Sequence, residues 1–209
     1  MSPEQERFAK FAALRKSAHE QIDRESERRM ADNPAPTEEE VTIGAFREMI
    51  EPQVRDAVFQ MLRKGYTTDS SGFGGENSDI QSLDGYFDIN ADTLKKLEEL
   101  GVKVLKGKDV GLPHQTDKYT YLQIKPERAD MEEIKRTWDR IVEALPARNI
   151  PAEPSLSGGS ADFRRRFAPD RKDIEKRALQ LNLNYEEWHP DAERQMRERL
   201  KQLGSEDEP

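Results

Sequence analysis

The sequence predicts an α+β protein, with a small four-stranded mixed or antiparallel sheet, helices mainly on one face, and amphipathic helices at both ends. Three observations carry this. Apolar residues concentrate between Phe46 and Leu145. Within that span helical and strand-like spacings alternate in the order helix, strand, strand, helix, strand, strand, helix. Outside it, charged stretches carry narrow apolar stripes at helical spacing.

Composition sets the division of the chain. Of 209 residues, 34% are hydrophobic and 36% charged, where a typical domain has about 45–50% and about 25%. A core can therefore form only where the apolar residues gather. The reading is an amphipathic helical arm over 1–32, a linker over 33–36, and a central domain over 37–146 with its core in 46–145. A Pro/Gly/Ser-rich, basic linker follows over 147–169, then a helical tail over 170–209. The formal net charge of −8 repels nucleic acid and anionic membranes on average. The absence of cysteine excludes disulfides, thiolate nucleophiles and cysteine-ligated metals. No apolar run has the length of a signal peptide or the ~20 residues needed to span a bilayer, so a soluble, cytoplasmic protein is expected.

Element by element, Phe8, Phe11, Leu14, Ala18 and Ile22 recur at three- and four-residue steps, which makes the N-terminal arm an amphipathic helix. Asn33-Pro34-Ala35-Pro36 breaks it. Thr37-Glu38-Glu39-Glu40 has the form of a capping box and starts a new helix, and the helical period continues through Phe46, Met49, Ile50, Val54, Ala57, Val58, Met61 and Leu62, with Pro52 in the first turn of a second segment, to a stop at Gly65. Tyr66-Thr67-Thr68 reads as a short strand, Gly72 to Asp79 as a loop of turn formers, and Gly85 to Ile89 as a better strand. Asn90 or Asp92 caps a helix bearing Leu94 and Leu97, and Gly101 ends it. Val102 to Leu105 and Tyr119 to Lys125 alternate as strands. Met131, Ile134, Trp138, Ile141, Val142 and Leu145 form the strongest helical stripe. Ile174, Ala178 and Leu181, then Ala192, Met196, Leu200 and Leu203, mark two tail helices whose stripes need a partner, either the central domain or a second chain.

Four features are candidate sites. The first is the run Gly65 to Gly75, where hydroxyls and glycines cluster. Thr68, Ser70, Ser71, Gly72 and Gly74 can present hydroxyls and backbone N–H groups to an anion, and the alternative is a plain connection between strands. With Asp69 and His114 nearby in sequence, Ser70 or Ser71 is a candidate nucleophile. The alternative for His114 is a solvated loop histidine, since no Gly-x-Ser-x-Gly spacing is present. The second is a set of carboxylates, Asp69, Glu76, Asp79, Asp84 and Asp88, which can hold a hard cation or line a solvated loop; neither a resident metal nor a cofactor is assigned. The third is Phe163-Arg164-Arg165-Arg166-Phe167, the one basic concentration, which suits nucleic-acid contact or docking on the chain's own acidic surface. The fourth is Trp188, an aromatic anchor for a partner or for the domain itself.

The Gly65–Gly75 segment resembles a motif of small prokaryotic proteins of unassigned function, Gly-Tyr-x-Thr-x-x-Ser-Cys-x-Gly-His, through Gly65, Tyr66, Thr68, Ser71 and Gly74. It is more loosely similar to the Thr-Thr-Ser-Ser-Cys-Ser-Gly segment of the tRNA wybutosine-synthesis methyltransferases. Gly72 and Gly75 stand where the first motif has cysteine and histidine, so the resemblance implies a topology, a helix followed by a strand and a sharp loop, and no shared reaction. The leading functional expectation is an intracellular binding or interaction protein, non-enzymatic, with its helical arms meeting a protein partner or a second copy. The alternatives are an enzyme or small-ligand binder using Thr67 to Asp79 with His114, and nucleic-acid binding through Phe163 to Arg177.

Overall fold

The computed structural model describes residues 2–75, 78–87, 89–110, 119–185 and 190–205, and the side chains of all of these except 185, 192 and 205. Among them, eight α-helices and one four-stranded antiparallel sheet make an α+β fold, with 62% of the chain helical. No described helix is long and apolar enough to cross a membrane.

Helix α1, Pro3–Asp32, starts in a capping box between Ser2 and Gln5 and stops at Asn33, which takes a left-handed conformation at φ 45°. Helix α2, Glu38–Ile43, uses the Thr37–Glu40 capping box and ends at Gly44, φ 76°. After one 3-10 turn at Arg47–Met49, Pro52 opens α3, Pro52–Arg63. Strands β1 (Ser70–Phe73) and β2 (Gln81–Tyr86) form a hairpin. Then come α4 (Ala91–Glu99), β3 (Lys103–Lys106), β4 (Tyr119–Ile124) and α5 (Met131–Ala144). The C-terminal helices are α6 (Gly158–Phe167), α7 (Lys172–Tyr185) and α8 (Pro190–Ser205).

The strands lie in the order β1-β2-β4-β3. Leu83 of β2 faces Leu122 of β4, and Gln81 faces Ile124. Because side chains alternate along a strand, Leu83, Leu122 and Ile124 turn to one face, where they join Val54, Val58 and Met61 of α3, Leu97 of α4 and Ile134, Trp138 and Ile141 of α5 in the core. The opposite parity carries Asp84, Tyr86, Tyr119 and Tyr121, and the three tyrosine rings stack edge to face at 4.9 and 5.3 Å. The core also reaches outside 46–145, since Phe11 of α1 and Ile43 of α2 belong to it.

Three local expectations need correction. Strand β1 begins at Ser70, after Tyr66-Thr67-Thr68, because Ser70 to Phe73 find backbone partners in Asp84 to Gln81, while Tyr66 and Thr68 turn into the interior. The loop is shortened accordingly. Strand β2 starts four residues before the expected Gly85, at Gln81; its polar inward residues hide the alternation. The expected linker 147–169 contains α6: Ser157 Oγ accepts from Ser160 N at 3.2 Å, and the rings of Phe163 and Phe167 pack on Phe46 at 4.7 and 4.8 Å, so burial outweighs the weak helix propensity of Gly158 and Gly159.

The arms lie on their own domain. Phe11 and Ala18 of α1 are buried, as are Ile174 and Ala178 of α7 and Leu203 of α8. Arg29 of α1 forks onto Glu40 of α2 at 2.8 and 2.9 Å, and Arg199 of α8 grips the buried Glu175 of α7 at 3.0 and 3.1 Å.

Candidate functional site: a cleft between α1, α6 and the β1 edge

The docked arm and α6 enclose a cleft of about 710 Å³ whose floor includes Thr68, Asp69, Ser70 and Ser71. Its walls come from Ile22 and Met30 of α1, from Phe46, Met49 and Ile50 of the turn before α3, and from Phe163 and Phe167 of α6. Met30 and Met49 stay 59% and 54% exposed. They form an apolar, adaptable rim, since the methionine side chain is unbranched and soft.

Glu51 anchors the polar end. One carboxylate oxygen accepts from Phe73 N at 2.9 Å and from the Gln53 amide at 2.6 Å, and the other lies 3.1 Å from His19 Nε2. The carboxylate thus caps the outer edge of β1, a position open to a further strand. Gly72 makes this possible: at φ +119°, a Cβ on it would stand 2.2 Å from Glu51 Oε2. The hydroxyls of Thr68, Ser70 and Ser71 form no hydrogen bond within the described residues, and Thr68 is only 6% exposed.

Asp69 ties the floor to the segment leading into α6. Its Oδ1 accepts from Leu156 N at 2.7 Å and from Ser155 Oγ at 3.0 Å, and burial pushes its carboxyl above the usual range despite those bonds. Behind it, Tyr119 donates its hydroxyl proton to Asp84 Oδ1 at 3.0 Å. Burial, with the Asp69 charge adding to it, raises Asp84 to about 7 and pushes the Tyr119 hydroxyl upward as well.

The hydroxyl cluster read from the sequence is therefore partly assembled as a cavity floor. Gly72 and Gly74 have other tasks, the first giving Glu51 its seat and the second donating its N–H to Ile80 O at 2.9 Å to close the hairpin. His114, Trp188, Glu76 and Asp88 lie outside the described residues. Among the described residues, the imidazole at the cleft is that of His19.

Of the remaining carboxylates, Asp79 is engaged by Arg7 at 2.6 Å and Lys125 at 3.4 Å; burial opposes its ionisation, and these cations hold its carboxyl below the usual range. No metal-binding group of three or more histidine, aspartate or glutamate side chains occurs among the described residues.

The basic run does not form one surface. Successive helical residues are about 100° apart, so the three arginines diverge. Arg164 is 1% exposed, with Nη2 3.3 Å from Ser155 O. Burial pushes its pKa down to about 10 against the opposing pull of Glu175 and Asp69. Arg165 pairs with Asp162. Arg166 lies over the Phe167 ring, 5.5 Å from its centre. Phe163 and Phe167 are used in packing on Phe46, not displayed for base stacking. Arg164 as an interaction residue is thereby corrected.

His19, Glu51, Ser157 and Ser160 are the cleft residues that sequence reasoning missed. His19 follows Ala18 in the helical stripe and Glu51 precedes a helix-starting proline, but nothing local links two residues so far apart in the chain. Compared with known protein families, curated proteins and solved structures, the chain finds no match.

Proposed function

We propose that this protein binds a small amphipathic organic molecule in the cleft between α1, α6 and β1. The observation that carries the reading is the cleft itself: about 710 Å³ falls in the roughly 300–1,000 Å³ range of small-molecule sites, and apolar walls converge on a few unused hydroxyls. Phe11, Ala18, Ile174, Ala178 and Leu203 of the arms' apolar stripes are buried within the chain, which favours a ligand in the cleft over a partner protein on the arms. Divergence of Arg164, Arg165 and Arg166 weakens the nucleic-acid reading in the same way.

Binding of the uncharged fluorescent amine N-phenyl-1-naphthylamine tests this. Its emission is expected to rise with the wild-type protein, and to be lost in Ala45→Trp, which places an indole in the cleft. Equal emission from both proteins at equal folded fraction, judged by near-ultraviolet circular dichroism, overturns the assignment of the site.

A further inference from the structure

Resting on the cleft as the binding site, the chemistry of its polar end specifies the ligand further. Two arginines stand on the wall, both at the aromatic end. Arg29 lies 4.2 Å over the Phe46 ring and is answered by Glu40 and Glu48 at 2.8 and 3.0 Å; Arg166 lies over Phe167. The hydroxyl end carries the opposite character. Glu51 has no lysine or arginine within ion-pair distance among the described residues. Among the described residues the one basic side chain on it is the His19 imidazole, which is 55% exposed against 13% for Glu51. Three donors, Phe73 N, the Gln53 amide and His19, fix the carboxylate in place. Thr68 and Ser71 line the same cleft; their hydroxyls have no partner among the described residues and each can accept a hydrogen bond, whereas Ser70, opposite Asp84 where Ser71 is opposite Leu83, turns to the other face of the sheet.

We propose that the cleft takes an alkyl or aryl amine, its ammonium group held by Glu51 and by the hydroxyls of Thr68 and Ser71, and its apolar body lying between Met30 and Met49. An ammonium group offers three donors and no acceptor, which matches an end made of one carboxylate and hydroxyl oxygens. An anionic head would meet the Glu51 carboxylate. A neutral alcohol would use the hydroxyls and leave the carboxylate without a cation. The apolar rim admits a chain without specifying its length.

The test compares n-octylamine, 1-octanol and octanoate at neutral pH by displacement of N-phenyl-1-naphthylamine from the full chain. Octylamine is expected to bind about tenfold more tightly than octanol, the ratio a charge-assisted hydrogen bond at a partly solvated site supplies. Octanoate is expected to bind least. Glu51→Gln should bring octylamine to the level of octanol. Because Glu51 also caps β1, the shape-matched Thr68→Val serves as a second variant, expected to weaken octylamine about fivefold through its lost hydroxyl. Octanol equal to octylamine, octanoate preferred, or octylamine binding unchanged in Thr68→Val each overturns the amine assignment while leaving the cleft as a site. Failure of all three ligands and of the reporter overturns the cleft reading as well.

Discussion

Replacing Asp84 by asparagine should flatten the pH dependence of stability between about pH 4 and pH 7. Asp84 is 6% exposed, and burial raises its carboxyl from the ordinary 3.8 to about 7 in the folded protein. Between these values the unfolded chain has released the proton that the folded chain keeps. Folding then binds a proton, and stability falls as pH rises. A difference of about three pH units at about 1.4 kcal/mol each gives up to about 4 kcal/mol lost by neutral pH. Asp69, also raised by burial, contributes in the same direction.

Asparagine keeps an acceptor for Tyr119 but sets an N–H₂ group opposite a backbone N–H, that of Ser70, which bonds to the carboxylate in the native chain. That cost is constant with pH, so slopes decide the matter and absolute stabilities do not. Urea unfolding at pH 4.5, 5.5, 6.5 and 7.5 should give the wild type a falling free energy and Asp84→Asn a shallower line, the two separating by several kcal/mol over the series. Parallel lines would show that the folded carboxyl ionises normally and that burial against Tyr119 is not what the geometry implies.

Other changes probe the scaffold of the cleft. Gly72→Ala would bring a Cβ to 2.2 Å from Glu51 Oε2 at φ +119°; a loss of about 2 kcal/mol by chemical denaturation is expected, together with faster amide exchange at Phe73, and unchanged exchange there would refute the capping role of Glu51. Gly44→Ala would bring a Cβ to 2.3 Å from Ser160 Cβ at φ +76°, so limited proteolysis should cut between α6 and α7 sooner than in the wild type; an unaltered digestion pattern would mean that α6 is not seated there. Arg199→Met removes the two charge-assisted hydrogen bonds on the buried Glu175 and should cost about 2 kcal/mol in thermal or urea unfolding; an unchanged unfolding midpoint would contradict the charge argument.

The elements with their signals in neighbouring residues were legible in the sequence. The Thr37–Glu40 capping box, the Asn90 cap and the Ile134-Trp138-Ile141 stripe are written within one or two helical turns, so local spacing suffices to place α2, α4 and α5. The misplaced elements depend on distant partners. Strand β1 starts at Ser70 because β2 and the Glu51 carboxylate supply its hydrogen bonds, and neither is visible in the composition of Gly65 to Gly75. Helix α6 begins with two glycines and is held by contacts of Ser160 with Ile43 O at 2.8 Å and of Phe163 with Phe46.

The cleft shows the same division. Its hydroxyls, Thr68, Ser70 and Ser71, are adjacent in sequence and could be singled out; the groups that give them chemical meaning, His19 and Glu51, come from the arm and from the start of α3. Composition placed the arm outside the domain because it is too charged to form a core. That charge is part of what docks it: Arg7 on Asp79, Arg29 on Glu40 and Glu48, and Glu25 on Arg55 at 2.8 Å carry the arm's polar contacts, while Phe11 and Ala18 supply its buried surface. A helix attached this way lends the core one ring, Phe11, and closes one wall of a cavity with the rest of its length; the amine proposal depends on that wall, since Met30 lies on α1.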